Sequence, residues 1–123
     1  MATPLISVVD DDQSVRESLA RLIRSVGFGV QVFGSAEEFL GADPGRRPDC
    51  LILDIRMPGM NGLELQQELS TTDRDLPVIF ITAHGSDEQV RTRALAAGAV
   101  DCLLKPLREE EVLKAVDAAL RSK

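Results

Sequence analysis

Acidic side chains and a few complementary groups follow short apolar runs at four places in the chain. Three consecutive aspartates, Asp10–Asp12, come directly after the first apolar run, and Asp54 ends another. Thr82 ends a third run, and Lys105 follows a fourth. Gathered carboxylates repel one another unless a cation binds between them, and hard oxygen ligands of this kind suit Mg²⁺. If the fold brings these runs together, the residues predict a Mg²⁺ site with a hydroxyl and an ammonium beside it.

The segments that must position these side chains alternate between strand-like and helix-like patterns. Short apolar runs bounded by turn residues predict five strands, at 5–9, 29–33, 50–54, 77–82 and 99–104. A helical segment follows each of them, and the last one runs from about Arg108 to Leu120. We expect Asp12, Ser35 and Ser86 to begin helices as N-caps, and Gly27 and Gly98 to end them.

This alternation favours one α/β domain over residues 1–123, with a parallel sheet and right-handed crossovers. In open parallel sheets the carboxyl ends of the strands form one edge, and ligands bind there. Asp10, Asp54, Thr82 and Lys105 all lie at strand ends. They are therefore expected to meet, although an Asp at a strand end also commonly begins a turn.

Composition excludes several other classes of protein. The formal net charge is −6 and no cluster of Lys or Arg is present, which argues against direct nucleic-acid binding. Aromatic residues make up 3% and include no Trp or Tyr, so base stacking is not expected. The two cysteines, Cys50 and Cys102, lie in apolar runs and are expected to be buried, reduced thiols of a cytoplasmic protein. Neither a signal peptide nor a membrane-length apolar run is visible, so no membrane association is expected.

Four groups of residues resemble the sequence marks of response-regulator receiver domains of two-component signal transduction. They are Val8-Val9-Asp10-Asp11, the Asp54 segment with Met57-Pro58 and Gly62, Thr82-Ala83, and Lys105-Pro106. The resemblance covers essentially the whole chain and implies a flavodoxin-like (βα)5 fold with strand order 2-1-3-4-5. The stretches 82–85 and 97–101 are similar to the subfamily whose receivers precede a helix-turn-helix DNA-binding domain.

The resemblance also implies roles for individual residues. Asp54 is the expected phosphoacceptor, taking a phosphoryl group from a partner histidine kinase. Asp11 is expected to bind Mg²⁺ directly, together with Asp54 and the backbone carbonyl of Arg56, while Asp10 acts through a metal-bound water. Asp12 is expected to cap a helix rather than to bind the metal.

Further expectations concern the conformational change that phosphorylation would cause. Lys105 is expected to pair first with the carboxylate and later with the phosphoryl oxygens, and Pro106 to follow a cis bond. Thr82 is expected to bond the phosphoryl group, which would change the face made by helix four, strand five and helix five. That face would control the output of the protein. A further hypothesis is that two phosphorylated copies dimerise through it. His84, with Arg56, lines the site mouth and tunes hydrolysis in one interpretation, and is simply an exposed loop residue in the other.

The chain departs from the family pattern at two positions. Cys102 lies three residues before the lysine, where receivers usually carry Tyr, Phe or His, and Leu107 stands where Phe is common. We therefore expect a working phosphoacceptor with an altered readout. A redox role for Cys102 is disfavoured because no base or partner thiol is evident nearby.

Three other functions compete with this interpretation. A flavin-binding flavodoxin would need a phosphate loop after the first strand and aromatic residues around the ring, and this chain has acids and no Trp or Tyr. An aspartyl-phosphate phosphatase would need a second Asp two residues after the nucleophile, where this chain has Arg56. The remaining alternative is a receiver-like module that dimerises or docks without phosphorylation, which the Cys102 departure keeps open.

Overall fold

The computed structural model describes residues 3–42, 47–72, 75–83 and 88–121. Within them strands and helices alternate, as predicted. The strands are β1 (Leu5–Val9), β2 (Gly29–Phe33), β3 (Cys50–Asp54), β4 (Val78–Thr82) and β5 (Asp101–Leu104). The helices are α1 (Gln13–Ser25), α2 (Ala36–Leu40), α3 (Gly62–Thr72), α4 (Glu88–Ala96) and α5 (Glu109–Arg121). The fourth and fifth strands begin one and two residues later than the sequence pattern predicts.

The five strands form a parallel sheet in the order β2-β1-β3-β4-β5. This confirms the flavodoxin-like (βα)5 fold with strand order 2-1-3-4-5. The order reverses at β1, whose neighbours are β2 on one side and β3 on the other. The crevice at such a reversal, outside the carboxyl ends of the strands, is where doubly wound sheets bind their ligands.

Helices cover both faces of the sheet, so β1, β3 and β4 are buried along their whole length. The first apolar cluster contains residues of α1 and α5, and the second contains residues of α2, α3 and α4. Neighbouring residues in a strand point to opposite faces, so Ile52 packs in the first cluster and Leu51 and Leu53 in the second.

The structure confirms most of the helix ends predicted from the sequence. Asp12 is the N-cap of α1, accepting a hydrogen bond from the Ser14 backbone N–H at 2.9 Å. Ser35 caps α2 by accepting from the Glu38 N–H at 3.0 Å. Gly27 and Gly98 adopt φ of +88° and +100° beyond the ends of α1 and α4. Ser86, the predicted cap of α4, lies outside the described residues.

Gly62 permits the close approach of α3 to the end of β3. Its N–H donates to the Ile55 carbonyl at 2.9 Å, and a Cβ atom at this position would lie 2.9 Å from the Ile55 Cα and against the Asp54 carbonyl oxygen. Backbone atoms cannot move aside as the end of a flexible side chain can. A glycine is therefore required at this position if Asp54 and the start of α3 are to keep their spacing.

We predict that Gly62→Ala lowers the free energy of unfolding by about 1–3 kcal/mol, because the added methyl group overpacks a backbone contact. Urea denaturation of the two proteins measures the difference. Gly29→Ala is the matched control, because a Cβ there would meet the Leu5 side chain at an ordinary 3.4 Å. Equal stability of Gly62→Ala and the parent would contradict the steric argument.

Candidate functional site

Three carboxylates converge at the carboxyl edge of the sheet. Asp10 and Asp54 are buried and Asp11 is exposed, and one ligand oxygen from each lies within 4.8 Å of the others. The pairing of β1 with β3 explains this arrangement. Val9 lies opposite Leu53 in the parallel register, so the residues that follow them, Asp10 and Asp54, emerge side by side.

Lys105 reaches this cluster from the end of β5. Its ammonium lies 3.0 Å from Asp10 Oδ2 and 3.6 Å from Asp54 Oδ2. Burial alone would lower the pKa of this ammonium, but its contacts with the two carboxylates outweigh that effect and raise the pKa. Lys105 is therefore a permanent positive charge beside the acids, and the carboxylate nearer to it is that of Asp10.

The environment of Asp54 disfavours its ionised form. Burial, followed by repulsion from Asp10, raises its pKa to about 7, even though Lys105 and a hydrogen bond from the Arg56 N–H (3.3 Å) act in the opposite direction. A group with this pKa is partly protonated near neutral pH. A cation placed among the carboxylates would favour ionisation of the side chain.

The donor set fits a hard divalent cation. Asp10, Asp11 and Asp54 offer only carboxylate oxygens, which Mg²⁺ prefers. Buried Asp10 Oδ2 accepts no regular hydrogen bond from the residues that the structure describes, although it lies in the ion pair with Lys105. Because Asp11 is exposed, the cluster opens to solvent, and an ion can enter it with part of its water shell.

Thr82 lies at the end of β4 beside these groups. It is buried, it is the register partner of Leu104, and its carbonyl accepts a hydrogen bond from the Lys105 N–H at 2.8 Å. Ala83, which follows, is exposed. The threonine and the lysine are thus tied to each other through the main chain. His84 lies outside the described residues.

The Lys105–Pro106 peptide bond is cis, as the family resemblance implies. Leu107, in the position where Phe is common, is partly buried and packs against the first apolar cluster. A groove of about 230 Å³ runs beside it; the lining residues are Ser14, Val15, Ser18, Leu19, Lys105, Pro106 and Leu107. One wall of the site is therefore an open, mostly apolar surface between α1 and the segment after β5.

Cys102 is buried within the second apolar cluster, and burial raises the pKa of its thiol. A thiol in this state stays protonated and is a poor nucleophile. On α4, Arg91 donates a hydrogen bond to the Cys102 carbonyl at 2.7 Å and approaches Asp101 at 3.6 Å. Similar receivers usually carry an aromatic residue at this position. Here the side chain is small and buried, and the Arg91 guanidinium is bonded to the main chain of the same residue.

Two residues near the site were not identified from the sequence. The Arg16 guanidinium donates to the Asp10 carbonyl at 2.8 Å, and the Glu37 carboxylate accepts from the Met60 N–H at 3.0 Å. The first contact holds the loop that carries the acidic residues after β1, and the second holds the loop that follows Asp54. The Arg16 contact links α1 to the loop directly before it, across six residues of sequence. The Glu37 contact spans 23 residues and depends on how α2 docks beside a distant loop.

The parallel sheet with three aspartates and a lysine at its carboxyl edge defines a receiver-type domain. The family model for the response regulator receiver domain matches residues 6–117, and the chain belongs to this family. TodT, a response regulator protein of Pseudomonas putida, is 46% identical over 117 residues, covering 95% of this chain and 51% of that protein. The transcriptional regulatory protein TdiR of Thauera aromatica is 46% identical over 115 residues, covering 94% of this chain and 50% of that protein.

A solved structure agrees with these relatives. A response regulator receiver protein from Burkholderia phymatum is 48% identical with a TM-score of 0.84, covering 97% of this chain and 96% of that one. The chain spans about half the length of the curated relatives named above. In the described ranges, no helix is both long and apolar enough to cross a membrane.

We predict that the raised pKa of Asp54 makes the metal-free protein less stable as pH rises from about 4 to about 7. In this window the unfolded chain has released the Asp54 proton, since the ordinary pKa is 3.8, whereas the folded protein retains it up to about 7. Stability linked to this proton is present at low pH and is lost as pH passes through the folded pKa. Above that pH the carboxylate is charged, buried and repelled by its neighbours.

The measurement is urea denaturation of the wild type and Asp54→Asn from pH 4 to 8 without metal. Asn cannot titrate. We therefore expect the free energy of unfolding of Asp54→Asn, relative to that of the wild type, to increase across this pH range by on the order of 2–4 kcal/mol. Carboxyl groups remote from Asp54 are common to both proteins and cancel in the difference, which therefore reports Asp54 together with the neighbours that interact with it. A difference independent of pH would show that Asp54 titrates normally, and Mg²⁺ at pH 8 should reduce the difference.

Proposed function

We propose that this domain accepts a phosphoryl group onto Asp54 from the phosphohistidine of a partner histidine kinase. The observation that carries the proposal is the position of Asp54, buried at the sheet edge between two other carboxylates and the Lys105 ammonium. In the step, an Asp54 carboxylate oxygen attacks phosphorus in line while the phosphorus–nitrogen bond to the kinase histidine breaks. The imidazole leaves with that electron pair and takes up a proton, and Asp54 becomes an acyl phosphate.

Charge neutralisation explains why these residues surround Asp54. Phosphoryl transfer depends more on positioning and electrostatic stabilisation than on covalent chemistry by the protein. Lys105, already beside the carboxylates, is placed to pair with the phosphoryl oxygens once Asp54 is modified. Asp11, Asp54 and the Arg56 backbone carbonyl would hold Mg²⁺ directly, with Asp10 acting through a water. When bound, the ion supplies positive charge against the oxygens of the transferred group.

Thr82 is the proposed switch residue, because it ends β4 beside the site and its carbonyl is bonded to Lys105 N–H. A hydroxyl that bonds the new phosphoryl oxygens would draw the end of β4 towards Asp54. We propose that α4, β5 and α5 report this change, with Cys102 and its Arg91 contact in place of aromatic coupling. Pro106 helps to aim Lys105, and His84 with Arg56 tunes the lifetime of the acyl phosphate.

The proposed output is control of transcription through a domain outside the residues given. TdiR, half of whose length this chain matches, is described as a transcriptional regulatory protein. We propose that residues 1–123 form the receiver unit alone, acting in the cytoplasm and binding no nucleic acid itself, in keeping with the net charge of −6. The chemistry it promotes is limited to its own phosphorylation and dephosphorylation.

We predict that a small phosphodonor such as acetyl phosphate adds one phosphoryl group to the wild type in the presence of Mg²⁺. Intact-mass spectrometry reads the adduct directly. Asp54→Asn, which removes the nucleophile, and wild type treated with a chelator beforehand should show none. An adduct that persists in Asp54→Asn would place the modification elsewhere.

A beryllofluoride complex, which mimics the phosphoryl group, is the second arm of this experiment. If neither the donor nor the mimic alters the protein and Mg²⁺ has no effect, the domain would be a docking or dimerisation module that works without phosphorylation. The two arms are needed together because acyl phosphates hydrolyse and small donors react slowly.

We further predict that modification promotes homodimerisation through the face of α4, β5 and α5. β5 is an edge strand, and Leu95 and Leu104 on α4 and β5 are 39% and 41% exposed. Sedimentation velocity with and without beryllofluoride should show a monomer becoming a dimer, and Leu104→Glu should keep the protein monomeric. A monomer in both states of the wild type would refute this part of the proposal.

A further inference from the structure

The loop between β3 and α3 carries Arg56 and is fixed at several points. At its start, the Arg56 N–H donates to Asp54 Oδ1 at 3.3 Å, and Met57 is buried in the second apolar cluster. At its end, Asn61 and Glu64 exchange hydrogen bonds of 3.0 and 2.9 Å between backbone N–H groups and side chains. Between these ends lies the tip, Gly59–Met60.

The tip is held from α2 by Glu37. The Met60 N–H donates to Glu37 Oε2 at 3.0 Å, across 23 residues of sequence. Gly59 has φ of +74°, and a Cβ atom built on it would lie 2.7 Å from the same Oε2. The Glu37 carboxylate therefore occupies the space that a side chain at position 59 would need. It lies against two consecutive residues, Gly59 and Met60.

The charge state of Glu37 fits this role. The hydrogen bond from Met60 lowers the pKa of the Glu37 carboxyl. The side chain is therefore ionised at neutral pH and makes a charge-assisted bond, which is stronger than a neutral one. The adjacent Glu38 bonds on a different loop, accepting from the Gly34 N–H at 3.3 Å. Glu37 is thus directed at the loop that follows Asp54, whereas its neighbour is not.

We propose that Glu37 is a positioning residue of the phosphoacceptor site. Its carboxylate fixes the tip of the β3–α3 loop, and the loop in turn fixes Arg56, whose carbonyl would bind the metal and whose N–H bonds Asp54. Loss of an outer group that orients a metal ligand typically lowers metal affinity or activity by about 10–100-fold. The link to the metal rests on the proposed function, but the clamp on the loop is independent of it.

The first test concerns the clamp and uses the metal-free protein. Amide hydrogen exchange at Met60, followed by NMR, should become at least several-fold faster in Glu37→Ala than in the wild type, because its acceptor is lost. Glu37→Gln keeps an amide oxygen and should recover part of the protection. Glu38→Ala is the matched control on the same helix and should leave Met60 unchanged. Unchanged exchange at Met60 in Glu37→Ala would overturn the proposal.

The second test titrates Mg²⁺ into the same four proteins and follows their amide shifts. Mg²⁺ affinity should fall about tenfold in Glu37→Ala, the low end of the effect of outer ligands, and should recover towards wild type in Glu37→Gln. A loss of stability alone would not produce this pattern, since Glu38→Ala also removes a bond of α2. Affinity in Glu37→Ala equal to wild type would overturn the positioning role, whereas a wild type without Mg²⁺ binding would instead refute the proposed function.

Discussion

Burial of carboxylates beside one another at the carboxyl edge of the sheet is the constraint on which the site depends, because it combines lost solvation with mutual repulsion. Asp10 and Asp54 are buried beside each other because β1 and β3 pair in register, and Asp11 adds a third charge at the entrance. Lys105 offsets part of this charge but leaves Asp54 with a pKa near 7. The metal-free domain therefore contains an unfavourable electrostatic arrangement that binding of a cation would relieve. Such arrangements are found at functional sites, where they tune a reactive group.

Keeping the charges together requires that the surrounding loops be held firmly. Asp10 contributes to this itself, since its Oδ1 accepts the Asp12 N–H at 2.8 Å while its carbonyl accepts from Arg16. On the other side, Gly62 lets α3 begin directly against the end of β3. The loops on both sides of the cluster are thus anchored by short-range hydrogen bonds and by backbone packing.

On β5, beside α4, the chain has Cys102 at the position where receivers usually carry an aromatic residue or His. Cys102 provides a small, buried and protonated thiol, and Arg91 ties α4 to the main chain of β5 beside it. A small side chain at this point has no aromatic ring to exchange between inward and outward positions. In the proposed switch, movement of β4 would be passed to α4 through main-chain bonds and aliphatic packing.

The sequence by itself determined the alternation of strands and helices, the residues at the strand ends and the family. These follow from local patterns: short apolar runs bounded by breakers, the cap at Asp12, the stops at Gly27 and Gly98, and motifs with fixed positions relative to the strands. The sequence pattern places the start of β5 two residues early, because Ala99 and Val100 are apolar and pack against the core directly before the strand begins.

Only the tertiary structure decided which groups touch. Lys105 lies closer to Asp10 than to Asp54, and Glu37 holds Met60. Both arrangements depend on how elements distant in sequence dock on the sheet. The raised pKa of Asp54 is likewise a property of burial and neighbouring charge. A single sequence specifies the periodicity of each element, but distances between side chains of different elements are set by the packing of the whole domain.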